Sequence, residues 1–293
     1  MDPDEVLDTK SYLSRIREWP AIPEEANPER WLAGFADTHK DHAVALLDSF
    51  IFISARQTRK LFTSAIHALS AEVTAGETGY AAKRQRWQEF LRSAIISAPT
   101  GEDPNPTDSG FIFQRLARSA LRVPEANIVN ASDIQTVLER DGARPIILVD
   151  DFAGSGNQLL ETWHRSEASA SSRSLAEMTA DHGLEVYYVP LVCTSLAAER
   201  IEHEAGGLRL RPCHIVTDVY AAGHPDSVVF PESLRPTADD FITRSSEGAG
   251  ITSLPRGFWD LELALAFEHS IPDANLGVLW SEEGGWFPLR AKS

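Results

Sequence analysis

The chain is short of three things, and each shortage excludes a class of protein. Of its 293 residues only Cys193 and Cys213 are cysteines, and they form no CxxC pair. That removes a disulfide framework and a cysteine-based zinc site, and it fits a reducing compartment. Positive charge is also scarce. The 27 Lys plus Arg stand against 43 Asp plus Glu, for a formal net charge of -16. Proteins that bind nucleic acid unaided draw most of their affinity from a basic face, so no direct nucleic-acid binding is expected. The one local basic cluster, Lys83, Arg84 and Arg86, reads as the solvated face of a helix. Long apolar runs are the third lack. No stretch approaches the roughly 20 residues of a membrane span, and the opening MDPDEVLDTK has no basic-then-apolar signal pattern. The expectation is a soluble, cytoplasmic chain with no membrane contact. Its 43% hydrophobic content supports a proper core, in one large domain or two modest ones.

Organisation changes along the chain. Pro20, Pro23 and Pro28 break any long helix in the first 30 or so residues, which read as a wrapping arm or irregular lead-in. From Trp31 apolar residues recur at three and four positions (Trp31, Phe35; Val44, Leu47, Ile51; Leu61, Ile66, Leu69), which is helical periodicity. Three or four helices are expected between residues 31 and 93, with Asp37 or Thr38 capping one of them. Strands then alternate with helices. AIISAP at 94–99 is the first strand, and residues 127–130, 146–150, 184–192 and 208–219 supply four more. Such alternation argues for an α/β fold with a parallel, Rossmann-like sheet. The expected division is a helical region at 1–93 and an α/β domain at 94–293 that ends in a Trp-rich extension. SEASASSRS at 166–174 reads as a loop.

The most informative stretch is PIILVDDFAGSGNQLL, residues 145–160. Ile146 to Val149 lack period-2 alternation and read as a strand buried on both faces. Two acids follow, then a turn of small residues, then a helical pattern from Asn157. Ligands of open parallel sheets bind at this carboxyl edge, where loop amides and a helix start hold anions. Capping alone needs one acid; here there are two. Four aliphatic residues, two acids, a hydrophobic residue and a Ser- and Gly-containing loop resemble the ribose-phosphate motif of the type I phosphoribosyltransferases. The likeness is direct at Ile146 to Phe152, Ser155 and Gly156, and departs at Gly154 and Gln158, where that family usually carries Thr. The resemblance implies a phosphoribosyltransferase-like core that binds phosphoribosyl pyrophosphate or a ribose-5-phosphate nucleotide with Mg²⁺. It implies that Ala153, Gly154, Ser155, Gly156, Asn157 and Gln158 cradle the 5-phosphate. Asp150 and Asp151 would be the catalytic and metal-linked acids, accepting from the ribose hydroxyls. The loop at 100–110 falls where that family holds pyrophosphate, and Ser109 and Gly110 stand at the following helix start. Its Glu102, Asp103 and Asp108 would repel bare pyrophosphate but tolerate one carried with Mg²⁺.

One part of that family's pattern is missing. Between Asn127 and Gly142, where many members close a Lys- or Arg-bearing loop over pyrophosphate, only Arg140 is basic. This argues against ordinary base transfer and for an altered reaction or a binding role. FEHSIPDANLGVLWSEEGGWFPLRAKS, with the early WLAGF and LLDSF, resembles phosphoribosyltransferase-like proteins of bacterial conflict and antiphage systems, some encoded beside reverse transcriptases. That likeness implies a defence component with partner proteins from its locus. Trp280, Trp286 and Phe287 read as packing rather than as stacking platforms.

Two other classes stay open. FAGSG also suits the cofactor loop of amino-methylating methyltransferases that use S-adenosylmethionine, but the nearest catalytic string, DPNP at 103–106, lacks the aromatic, and position 151 is acidic where that family has Pro. The third class is a non-catalytic nucleotide sensor. His39, His42 and His164 define no metal set by spacing, and Ser195 reads as a helix cap that could line the same cleft.

Overall fold

Four-residue apolar stretches and capped helix starts decide where the elements fall. In the computed structural model, which describes residues 2–100, 110–166 and 173–292, the chain opens with α1 (Pro3–Arg15), α2 (Pro28–Ala33), α3 (Lys40–Ser49) and β1 (Ile51–Ile53). Then come α4 (Ala55–Val73), α5 (Tyr80–Ser93), β2 (Ile95–Ser97), α6 (Gly110–Leu121), α7 (Ile134–Asp141) and β3 (Ile146–Ala153). These are followed by α8 (Asn157–His164), α9 (Leu175–His182), β4 (Val186–Thr194), α10 (Ser195–Glu204), β5 (Leu208–Leu210) and β6 (His214–Val216). The chain closes with α11 (Ala238–Ala249), β7 (Leu265–Phe267) and α12 (Gly277–Trp280). It divides into two compact units, one of Met1–Gln57 with Thr217–Ser293, the other of Thr58–Val216.

The second unit carries a parallel sheet in the order β2-β3-β4-β5, with β6 also paired to β4. Ile146, Ile147, Leu148 and Val149 of β3 are all fully buried. Ile146 and Leu148 join a cluster with Leu159, Trp163 and Ile201, while Ile147 and Val149 join one with Phe62, Ile66, Phe90 and Phe113. Both faces are covered, which is why the strand shows no alternation. Compactness thus groups most of α4 and all of α5 with the sheet rather than with the helices before them.

Three prolines shape the sheet. Residues 208–219, expected as one strand, form two, because Pro212 has no N–H to give the ladder; Arg211 and Cys213 donate instead to Tyr188 O at 2.8 Å and Pro190 O at 3.0 Å. Pro190 sits in the middle of β4, and its carbonyl faces that break, so the N–H it lacks faces the same side. The strand expected at 127–130 is also replaced. Pro124 leads into a 3-10 turn over Glu125–Asn127, Asn127 Nδ2 donates to Arg92 O at 2.7 Å, and only the single bridge Ile96↔Ile128 remains. The loop expected at 166–174 lies largely outside the described residues.

In the first unit the lead-in holds more helix than expected. Asp2 accepts from Asp4 N–H at 3.1 Å, Pro3 opens α1, and the prolines from Pro20 onward act only after it ends. The segment IFI, read as helical, is β1, paired in parallel with β7 from Ile51↔Leu265 to Ile53↔Phe267. Neither Asp37 nor Thr38 caps α3, whose N-cap is His39, without a side-chain bond. The Trp residues pack: Trp31 and Trp286 both donate from Nε1 to Val278 O at 2.8 Å. Gly34 leaves room for Trp286, since a Cβ there would lie 2.8 Å from the ring. Trp280 Nε1 donates to Asn275 O at 3.1 Å, and Arg30 stands 3.8 Å above the Phe287 ring.

If β3 is the spine of its unit, Leu148→Ala should cost about 2–5 kcal/mol in denaturant unfolding. The amides of residues 147–149 should be among the slowest to exchange with solvent, and fast exchange there would contradict the assignment.

Candidate functional site

At the carboxyl end of β3 the sequence places two acids side by side, and the strand's alternation sends them to opposite faces. Both are buried, at 4% and 6% exposure. Asp150 is fully engaged: Oδ2 accepts from the Tyr188 hydroxyl at 2.9 Å and Oδ1 from Asp151 N–H at 2.9 Å. Asp151 Oδ1 accepts from Phe152 N–H at 2.8 Å. Burial first, and the Asp151 charge second, hold the Asp150 carboxyl well above the ordinary carboxylate range, while the Tyr188 hydroxyl pulls it back. Burial and the Asp150 charge likewise push Cys193 up to about 12, so this thiol stays protonated beneath the site.

The chain then turns through Gly154, Ser155 and Gly156 into α8. Gly156 is left-handed, φ 80 and ψ -4, and serves as the helix N-cap with no side chain of its own to close the first turn. Asn157 N–H reaches Ser155 Oγ at 3.3 Å. From the far side α10 grips the turn. Thr194 donates from Oγ1 to Gly154 O, and Arg200 donates to Ser155 O at 2.6 Å and to Asn157 Oδ1 at 2.7 Å. The end of β2 joins in: Gln158 Nε2 donates to Pro99 O at 3.2 Å, and Arg165 holds Thr100 through Oγ1 at 3.0 Å and O at 3.1 Å. The result is a small-residue turn and a helix start at the edge of a parallel sheet, beside two acids. That combination can hold a phosphorylated ribose: amides for the phosphate, carboxylates for hydroxyls.

The family model PRTase-CE matches residues 28–292. The chain belongs to the PRTase-CE family. Among solved structures, orotate phosphoribosyltransferase from Aeropyrum pernix is similar at 19% identity, covering 53% of this chain and 70% of that one with a TM-score of 0.27. No curated protein matches. As a PRTase-CE member the chain is phosphoribosyltransferase-like, and its mixed α/β architecture with a parallel sheet agrees with that.

In this PRTase-CE chain Asp150, Asp151 and Ala153 to Gln158 form one continuous edge, as the sequence pattern arranges them. Gly110 opens α6, and Ser109 lies outside the described residues with most of the loop before it. Ser195 is not the cap of α10; Thr194 is, accepting Ala197 N–H at 3.0 Å. Tyr188, Thr194 and Arg200 were not anticipated. Tyr188 sits two residues past the start of β4, in register with Leu148, and the tyrosine pair Tyr187 and Tyr188 inside a buried strand was the available signal. Arg200 gave none, because it lies 43 positions from Asn157. Arg140 lies on α7, where its Nε and NH2 each donate to Asp141 at 2.8 Å. His42 is buried against Phe241 and Phe230, and His164 Nε2 meets Glu204 O at 3.2 Å. Among the described residues no group of three or more His, Cys, Asp or Glu is disposed to hold a metal ion.

Two substitutions probe this geometry. Gly156→Ala places a Cβ 3.3 Å from Ile201 on a left-handed residue and should destabilise the PRTase-CE fold by about 1–2 kcal/mol in thermal or denaturant unfolding. Asp150→Asn tests the raised carboxyl. Because folding raises this pKa, its stabilising contribution is fully present below the unfolded value near 4 and is lost as pH rises through the folded value. The variant cannot ionise. In buffer free of divalent ions its melting temperature relative to wild type should therefore climb from pH 4 toward neutrality, and a flat difference would contradict the burial of a charge.

Proposed function

We propose that the edge formed by Asp150, Asp151 and the turn at 153–158 binds phosphoribosyl pyrophosphate or a nucleotide carrying ribose 5-phosphate. The observation that supports this reading best is the conjunction of paired acids with a left-handed Gly156 turn into α8 in a PRTase-CE chain. Ser155 and the turn amides receive the 5-phosphate, and the acids accept from the ribose hydroxyls. Within the protein Asp150 accepts through both oxygens, from the Tyr188 hydroxyl and from Asp151 N–H.

Mg²⁺ fits this edge as an ion that arrives with pyrophosphate rather than one caged by protein, since no group of three or more His, Cys, Asp or Glu among the described residues is disposed to hold a metal and Asp150 is committed to Tyr188. Asp151, with Asp150 behind it, would hold that ion, and the ion would supply neutralisation of pyrophosphate charge. The biological setting we propose is a bacterial antiphage system, in which the chain acts as an effector or component beside partner proteins encoded at its locus. It acts on, or senses, cellular nucleotides in the cytoplasm, without direct contact with nucleic acid or membrane. The described helices include none long and apolar enough to cross a membrane.

A sensing role has one observation in its favour. Arg140, the only cation in the stretch where relatives of the transferase type close over pyrophosphate, is held by its neighbour Asp141. A site without a mobile cation stabilises developing pyrophosphate charge poorly. Phosphoribosyl transfer or glycosyl hydrolysis remains the catalytic form of the same proposal.

Calorimetry with phosphoribosyl pyrophosphate and Mg²⁺ should show saturable binding that Asp151→Asn weakens about tenfold or more, with the melting temperature little changed. Binding of S-adenosylmethionine alone would overturn the reading in favour of methyl transfer. In cells, the Asp150→Asn, Asp151→Asn double variant, expressed at wild-type level with the neighbouring genes, should lose protection against phage. Unchanged protection would separate the site from the function.

A further inference from the structure

The turn at 154–156 is held through its carbonyls by α10 and its cap. Successive peptide groups in a turn expose a carbonyl and an N–H in different directions, so fixing the carbonyls decides where the amides point. Here α10 takes the carbonyls. Thr194 Oγ1 donates to Gly154 O while accepting Ala197 N–H at 3.0 Å, which ties the turn to the first turn of α10. One helical turn and a half later Arg200 NH1 donates to Ser155 O at 2.6 Å and to Asn157 Oδ1 at 2.7 Å. Ile201, the next residue, closes on Gly156 so tightly that a Cβ there would lie 3.3 Å away. Gly154, Ser155 and Gly156 are thus each seated by a residue of α10 or its cap.

Arg200 differs from the other two contacts because it carries charge. Its side chain is 22% exposed and is braced by Glu204 Oε1 at 3.2 Å from Nε. A guanidinium beside a set of loop amides raises the potential at the place where a phosphate would sit, and it does so in a chain whose net charge of -16 repels anions at longer range. Within the turn from Gly154 to Gln158 Ser155 carries the one hydroxyl.

We infer that Arg200 is the positioning residue of the phosphate-binding turn: through the Ser155 carbonyl and the Asn157 side chain it presets the amides for the 5-phosphate and adds positive charge behind them. The inference rests on the proposed reading of the turn as a ribose-phosphate site. It acts before the ligand arrives, so its effect belongs to affinity for phosphorylated ligands and not to recognition of the base.

The test compares wild type, Arg200→Gln and Arg200→Lys by calorimetry with phosphoribosyl pyrophosphate and with ribose 5-phosphate, each at two salt concentrations, alongside thermal melting. Arg200→Gln should bind both ligands about ten- to a hundredfold more weakly and with a shallower salt dependence, while Arg200→Lys recovers a substantial part of the affinity. Affinity unchanged in Arg200→Gln overturns the inference and leaves the proposed function standing. So does a loss that Arg200→Lys does not recover and that follows a fall in melting temperature, because it marks a merely structural contact. Failure of the wild-type chain to bind either ligand overturns the proposed function, and the role of Arg200 with it.

Discussion

Everything at the candidate site depends on the burial of β3 on both faces. Four aliphatic residues, none exposed, fix the strand between β2 and β4. The first residues able to carry charge are then Asp150 and Asp151, and β3 runs on past them to Ala153, paired with Cys193 of β4. Burying carboxylates costs free energy that hydrogen-bond donors offset, and the structure supplies Tyr188 and the two following backbone amides. The acids are neighbours in sequence but unequal in role. Asp150 is turned into the sheet and tied to Tyr188, whereas the carboxylate of Asp151 belongs to the other face.

The second constraint is electrostatic. A chain with net charge -16 gives an approaching phosphate no long-range attraction, and salt screens the repulsion only beyond about 8 Å. Affinity must therefore be local. The turn at 154–156, the start of α8 and the Arg200 guanidinium are the positive elements gathered there, and α10 and the end of β2 hold them in place. On the proposed reading, such a site would bind by preorganised short-range contacts. It also explains why Gly is needed at 156, where φ is 80 and Ile201 is close.

The parts legible in sequence were those set by local pattern. The run Ile146 to Val149 announces a doubly buried strand, and the small-residue turn after the acid pair announces the start of α8. What was illegible arises from distant pairing or from a single missing donor. Pro212 splits a strand whose apolar pattern runs through it, and Pro124 with the Asn127 side chain reduces another to one bridge. IFI is β1 because Leu265–Phe267 pairs with it over two hundred positions away, which no window on the helix pattern can register. Arg200 reaches the turn only because β4 lies beside β3. The cap of α10 was missed by one residue, Thr194 for Ser195, since either hydroxyl satisfies the pattern.

The central claim is that the turn after β3 receives the phosphate of a phosphoribosyl ligand. The most direct measurement is amide NMR of the isotope-labelled chain titrated with phosphoribosyl pyrophosphate and Mg²⁺. The account predicts saturable shifts concentrated on the amides of residues 151–159, with Arg200 Nε–H moving alongside them. Shifts that leave this segment untouched while the ligand binds elsewhere, or no shifts at millimolar ligand, would contradict it.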